Sequence, residues 1–415
     1  MTTSPRGVPR LRNRLGALLA CSLAWAGVLR GAPVLAGAPE PVARSEQAAP
    51  SEEECAAFGE EIARAVNGGT ASAVVDLLDP YALAARTLAG IEMKDDFRRG
   101  VAGGIASSAR ESMLRAFGGF GKARFLRVLK VDGELRPLVR LMTQDGGMNY
   151  HAYVVARRAS GRLKWVDTHV CLTGELMSET MRRLLLPAVA EENAGFLERL
   201  TRGEGEYMKN LPKITAVQQK LQTGDIAGAQ ALLDTLPQEL RAMKPILAMR
   251  LLVAQKGDQA AYLEVIREWE SHFPGDPSLG LVGIDGAFLR QDYDGGLKSL
   301  GRLRAYTGDD PHLDLLEATM LRLARRFPEA RAAARRCLAA DPTQSSAYDA
   351  LLQTELDAKN HAGVAALLSE LETNYPGFDM DQAIAAAAEY AEFRGSPEYG
   401  RWVAQRTRKP VTAGQ

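Results

Sequence analysis

"GDIAGA", Gly224–Ala229, is a phrase the chain repeats. It returns as "GDQAAY" from Gly257, "QDYDGG" from Gln291, "RRFPEA" from Arg325 and "KNHAGV" from Lys359, at spacings of 33, 34, 34 and 34 residues. A fixed period of this size marks one supersecondary unit copied along the chain. Prolines share the phase: Pro274, Pro342 and Pro376 each fall twelve residues after the sixth position of their phrase. Gly or Asp at the start suits a turn between two helices, and proline suits the end of the second helix. A small sixth residue, as in Ala229, Gly296 and Ala330, lets two helices approach closely. Tyr262 and Val364 depart from that rule, and the third copy has three extra residues before Pro311.

This pattern resembles the tetratricopeptide repeat over residues 214–406, with five copies and an incomplete sixth near Gly395. The resemblance implies helix pairs stacked into a solenoid with a groove. Gly224, Gly257, Ala229, Gly296 and Ala330 would be its turn and packing residues. It further implies that the groove holds a protein or peptide; using the array to form a homodimer is the other reading. No ring of Lys or Arg recurs at fixed positions, so an acidic-tail clamp gains no support.

Upstream the period changes. "ARFLRVLKV", "ELRPLVRLMT", "MNYHAYVVAR" and "RLKWVDTHVCL" run from Ala123 to Leu172, separated by "DG", "QDGG" and "ASG". Apolar and β-branched runs joined by short glycine-containing connectors predict an antiparallel meander of four strands. Helical segments precede it from "SEEE" onward, so residues 53–187 read as an α+β domain. The element order is similar to the nuclear-transport-factor-two-like, or cystatin-like, fold. Residues 188–213 read as a connecting helix, interrupted near Pro187, and residues 407–415 as a tail. The expected fold class is thus mixed: an α+β domain, then an all-α repeat solenoid.

The N-terminus reads as an export signal over residues 1–36. Arg6, Arg10, Arg12 and Arg14 precede the apolar run Leu15–Leu29, and small residues follow, with cleavage after Ala36. An uncleaved anchor and a lipobox at Leu18–Cys21 are the rival readings. Residues 37–52 read as a disordered linker, Pro-, Ala- and Glu-rich. A periplasmic or secreted protein with no membrane span after cleavage is expected. The full chain has 51 basic and 51 acidic residues, and five of the arginines lie in the signal. The remainder is therefore acidic and offers no basic field for nucleic acid. Three cysteines, Cys55, Cys171 and Cys337, remain after cleavage, an odd number that makes no disulfide framework. Cys55–Cys171 is the pair that could form.

Chemistry has few candidates. "FGGFGKA", Phe117–Ala123, lacks the glycine and the Ser or Thr of a phosphate loop and reads as a helix end entering a strand. His272, His312 and His361 sit at repeat ends or turns and read as surface residues. No metal spacing is present and no cofactor is expected. In "KWVDTHVC", strict alternation places Trp165, Asp167, His169 and Cys171 on one strand face, with Val166, Thr168 and Val170 against the helices. Trp165, Asp167 and His169 are the ligand-binding candidates, and Cys171 with His169 a remote nucleophilic pair. The expected protein is a non-enzymatic scaffold that holds a partner in its solenoid. The alternative is a small-ligand or sensing protein with its pocket in the α+β domain.

Overall fold

The structure is a computed structural model of the 415-residue chain and describes residues 49–144, 146–192, 202–375, 380, 384–385 and 387–408. The expected signal, most of the expected linker and nearly all of the expected tail lie outside the described residues. Two compact units emerge. The first runs to Gly283 and includes Tyr306–Gly308; the second comprises Ile284–Ala305 and the residues from Asp309.

The first unit opens with helices α1 (Glu52–Asn67), α2 (Ala71–Val75), α3 (Pro80–Thr87) and α4 (Asp95–Phe117). Ser51 and Glu54 close a capping box at the start of α1, with Glu52 and Glu53 in the positive first turn. The helices lead into strands β1 (Phe120–Val131), β2 (Glu134–Thr143), β3 (Met148–Arg157), β4 (Leu163–Val170) and a two-residue β5 (Glu175–Leu176). The sheet is an antiparallel meander in chain order. The "DG" connector between β1 and β2 turns with Asp132 at φ 52° and Gly133 at φ 79°, the tight hairpin that matches strand twist. α1 lies on β1 and β2 at Gly59, where a Cβ would strike the Phe125 ring and Pro137. The four strands expected are therefore present, and β5 is an addition. Helix α5 (Met177–Glu192) runs on through Pro187 rather than breaking there.

Beyond the sheet the chain is helical: α6 (Arg202–Gln222), α7 (Ile226–Asp234), α8 (Gln238–Arg241), α9 (Lys244–Lys256) and α10 (Gln259–His272). Then come α11 (Ser278–Arg290), α12 (Tyr293–Thr307), α13 (Pro311–Leu323), α14 (Phe327–Ala340), α15 (Ser345–Asp357) and α16 (His361–Asn374). Short segments end with α17 (Ala391–Arg394) and α18 (Pro397–Arg408). No described helix is long and apolar enough to cross a membrane.

Each six-residue phrase is the turn of a helical hairpin. Its first residue takes a left-handed conformation at Gly224 (φ 76°), Gln291 (57°), Arg325 (59°) and Lys359 (55°). Such a residue closes a helix C-terminus, at no steric cost only when it is glycine. Gly257 is the exception, at φ −108°. In four of the five phrases the second residue caps the next helix: the Asp225, Asp292 and Asn360 side chains accept from the backbone N–H of Gly228, Gly295 and Gly363, and Asp258 from that of Ala260, while Arg326 makes no such bond. The sixth residue is buried in every copy, Tyr262 and Val364 included. At Gly296 an added Cβ would lie 2.7 Å from Met320 Sδ and 3.1 Å from Ala287 Cβ. In the second unit one apolar cluster runs from Ala318 through α14, α15 and α16 to Phe393 and Trp402. His312 is buried at the start of α13, against the surface position expected of it; His272 is exposed.

Candidate functional site

The residues singled out on β4 do not share a face. Val154 pairs with Asp167 and Val155 with Trp165, so one residue, Val166, bulges out of β4. A bulge of one residue resets the alternation of side chains. Trp165 packs edge-on against Tyr153, ring centroids 5.5 Å apart, and Tyr153 pairs with Thr168. His151 stacks on Tyr153 in turn. Trp165, Tyr153 and His151 thus lie on the helix-packed face, and the Trp165 indole N–H points to the Val74 carbonyl of α2 at 3.5 Å. Its backbone also pairs with Leu77 and Asp79, closing off that end of the strand. Asp167, His169 and Cys171 occupy the opposite face with Val154 and Ala152.

Asp167 is fully buried and its carboxylate is saturated. One oxygen accepts from the backbone N–H groups of Thr168 (2.8 Å) and Ser178 (3.1 Å). The other accepts from Ser178 Oγ (2.5 Å) and Arg86 Nε (3.1 Å). Arg86 Nη1 bonds Glu134 at 3.0 Å, and Glu134 in turn accepts from Arg136 Nε (3.1 Å) and Nη2 (2.7 Å). The chain Arg136–Glu134–Arg86–Asp167–Ser178 ties β2, α3, β4 and α5 together. With each charge met by an opposite one and hydrogen-bonded, a buried network of this kind is tolerated. Trp165 and Asp167 are thus committed to the fold.

His169 has a different setting. With Cys171, Val131, Arg136, Ala152, Gly174, Asp276, Pro277 and Tyr306 it lines a cavity of about 190 Å³ inside the first unit. Burial holds the imidazole below its ordinary pKa, and the nearby Arg136 charge acts in the same sense. A hydrogen bond with the Gly174 backbone and the Asp276 carboxylate oppose them. His169 is thereby kept neutral at physiological pH. Asp276 is held by Lys244 and by both the N–H (2.8 Å) and Oγ (2.6 Å) of Ser278. Desolvation raises the Cys171 thiol, and Asp276 raises it further, so the neutral thiol is favoured. A nucleophilic cysteine needs the reverse, a site that stabilises thiolate. Cys55, Cys171 and Cys337 are all free and buried. Among the described residues no cluster of His, Cys, Asp and Glu could hold a metal ion.

Three cavity residues escaped sequence reading. Asp276 and Tyr306 come from repeat ends that carry no motif. Arg136 had a signal: "ELRPLVRLMT" sets Arg136 and Arg140 in an otherwise apolar strand, and both are more than nine-tenths buried. Arginine is seldom buried without a partner or a purpose. Gly224, Ala229, Gly257, Gly296 and Ala330 are found at hairpin turns and contacts, as set out above. Compared with protein families, with curated proteins and with solved structures, the chain finds no match.

Proposed function

We propose that the chain is an exported, non-enzymatic scaffold that holds a protein partner on the helical hairpins of its second unit. The observation that carries this reading is the regularity of those hairpins. The buried sixth residue recurs in all five copies, and the left-handed turn and the side-chain cap each recur in four, as expected of a tetratricopeptide-like array. Ion pairs tie neighbouring helices: Arg304 and Arg336 on Asp314 and Glu317, Arg331 on Glu355, and, from α14 to α16, Arg335 on Glu370. Such an array presents an extended helical surface, and extended helical surfaces serve protein recognition. The cavity of the first unit is too small for a peptide segment of any length.

The test uses the full chain, affinity-tagged in its native cells. A protein recovered in fixed stoichiometry with it is expected. The double variant Asp349→Arg, Gln353→Arg places two charges one turn apart on α15 and should release that protein. Lys130→Glu on β1 should retain it. Recovery of no stoichiometric partner, or equal retention by both variants, overturns the reading.

A further inference from the structure

The cavity beside β4 has donors to spare. Arg136 uses Nε and Nη2 on Glu134, and its Nη1 makes no hydrogen bond among the described residues. The Tyr306 hydroxyl makes none there either. Burial raises the Tyr306 pKa, so the hydroxyl keeps its proton and remains a donor. Of the acceptors in the wall, Asp276 is already engaged by Lys244 and Ser278, which leaves the second ring nitrogen of neutral His169. With two unspent donors against one acceptor, the cavity asks for a further acceptor.

The formal charges around the cavity balance. The cations are Arg136, Lys244 and the exposed Arg127, whose side chain lies 3.1 Å from the Cβ position at Gly308. The anions facing them are Glu134, Asp276 and, 3.9 Å from Arg136, the exposed Asp132. His169 adds no charge while neutral, so the unspent donors alone favour an acceptor.

The remaining wall, Val131, Ala152, Pro277 and Cys171, is apolar. A void of about 150 Å³ in a protein interior already accepts a benzene ring. At about 190 Å³ the cavity has room for a ring or short chain plus one small polar group. We infer that it binds a small monocarboxylate with a compact apolar body. Its carboxylate would accept from Arg136 Nη1 and the Tyr306 hydroxyl, with the body against Ala152 and Pro277. The site keeps His169 of the residues expected from sequence and replaces Trp165 and Asp167 by Arg136 and Tyr306. It is independent of any partner on the second unit.

Calorimetric titration of the full chain with benzoate, butyrate and hexanoate tests it, with benzamide as the neutral match for benzoate. Saturable binding of at least one carboxylate is expected, with benzamide at least tenfold weaker than benzoate if benzoate is the one that binds. Tyr306→Phe removes one donor and should weaken binding about tenfold. Ala152→Leu fills the void and should abolish binding. A circular-dichroism melt checks that each variant is folded, and Tyr306→Phe decides alone if Ala152→Leu is not. No binding by any of the three acids, benzamide binding as well as benzoate, or undiminished binding by Tyr306→Phe or folded Ala152→Leu, overturns the proposal.

Discussion

The end of the sheet and the hairpins of the second unit both bury charged side chains, but in different ways. On β4, Asp167 is fully enclosed and takes hydrogen bonds from Arg86, 81 positions away, and from Ser178, 11 positions on. In the hairpins, Arg331 grips Glu355 with two bonds of 2.6 and 2.8 Å, and Arg335 grips Glu370 with 2.6 and 2.7 Å. Arg335 and Glu370 both stay partly in water, at 48% and 33% side-chain exposure, whereas Asp167 has none. A charge that can still reach water has an alternative to its partner; an enclosed one has none. The first kind tunes an interface, whereas the second makes a junction on which several elements depend.

The largest effect should therefore come from Asp167→Ala. It strips four hydrogen bonds at once and leaves the Ser178 hydroxyl and part of Arg86 buried without an acceptor. We expect a loss of about 3–5 kcal/mol by urea unfolding, as for other broken buried pairs. Asp167→Asn should fare little better, because an amide nitrogen would face N–H or O–H donors in either orientation. Arg335→Gln, the matched change in the hairpins, should cost less than about 1 kcal/mol. Equal losses at the two sites would erase the distinction.

Acid gives a second, smaller contrast. Burial, with a lesser push from His169, lowers the His151 pKa to about 3. Unfolding returns it to the ordinary value near 6.5, where it takes up a proton. The stability tied to neutral His151 is thus complete above about pH 6.5 and drains away as pH falls from there toward 3. The slope approaches about 1.4 kcal/mol per pH unit within that window. Urea unfolding at pH 7.5 and 5.5 measures it, and His151→Gln should flatten the dependence. An unchanged slope in that variant would mean the acid-labile group lies elsewhere.

How much of this was legible follows from where each interaction is made. The hairpin turns could be read because turn, cap and packing residue fall within six consecutive positions, so the chemistry is local and repeats. Asp132–Gly133 was readable for the same reason. The single-residue bulge at Val166 was not: β-branched neighbours alternate through it without a glycine or a break, and it reverses which face Asp167 and His169 occupy relative to Trp165. Ser178 and Arg86 are ordinary residues on helices until the fold brings them to one carboxylate. Tyr306 belongs to a helix whose phase says nothing about a cavity. Arg136 was visible in the sequence as a charge in an apolar strand, but nothing local to that strand says that it lines a cavity.

The smallest expected effect bears on the repeat itself. Four phrases begin with a left-handed residue, and only Gly224 adopts that conformation without a Cβ penalty. An L-residue there costs about 1–2 kcal/mol, while glycine gives back about 0.5–1 kcal/mol through its freer unfolded chain. Replacement by glycine should then stabilise by about 0.5–1 kcal/mol. Arg325 and Lys359 are poor places to measure it. Arg325 lies over the Phe327 ring at 5.4 Å, and Lys359 pairs with Glu392 at 2.9 Å. Gln291 is exposed, and Gln291→Gly isolates the backbone term. A rise in the urea midpoint with unchanged slope would show that the turn is set by backbone conformation, and that glycine at the head of the first phrase meets the same demand the later copies meet under strain. A fall would mean that Gln291 contributes through its side chain, and the equivalence of the turns would fail at the third copy.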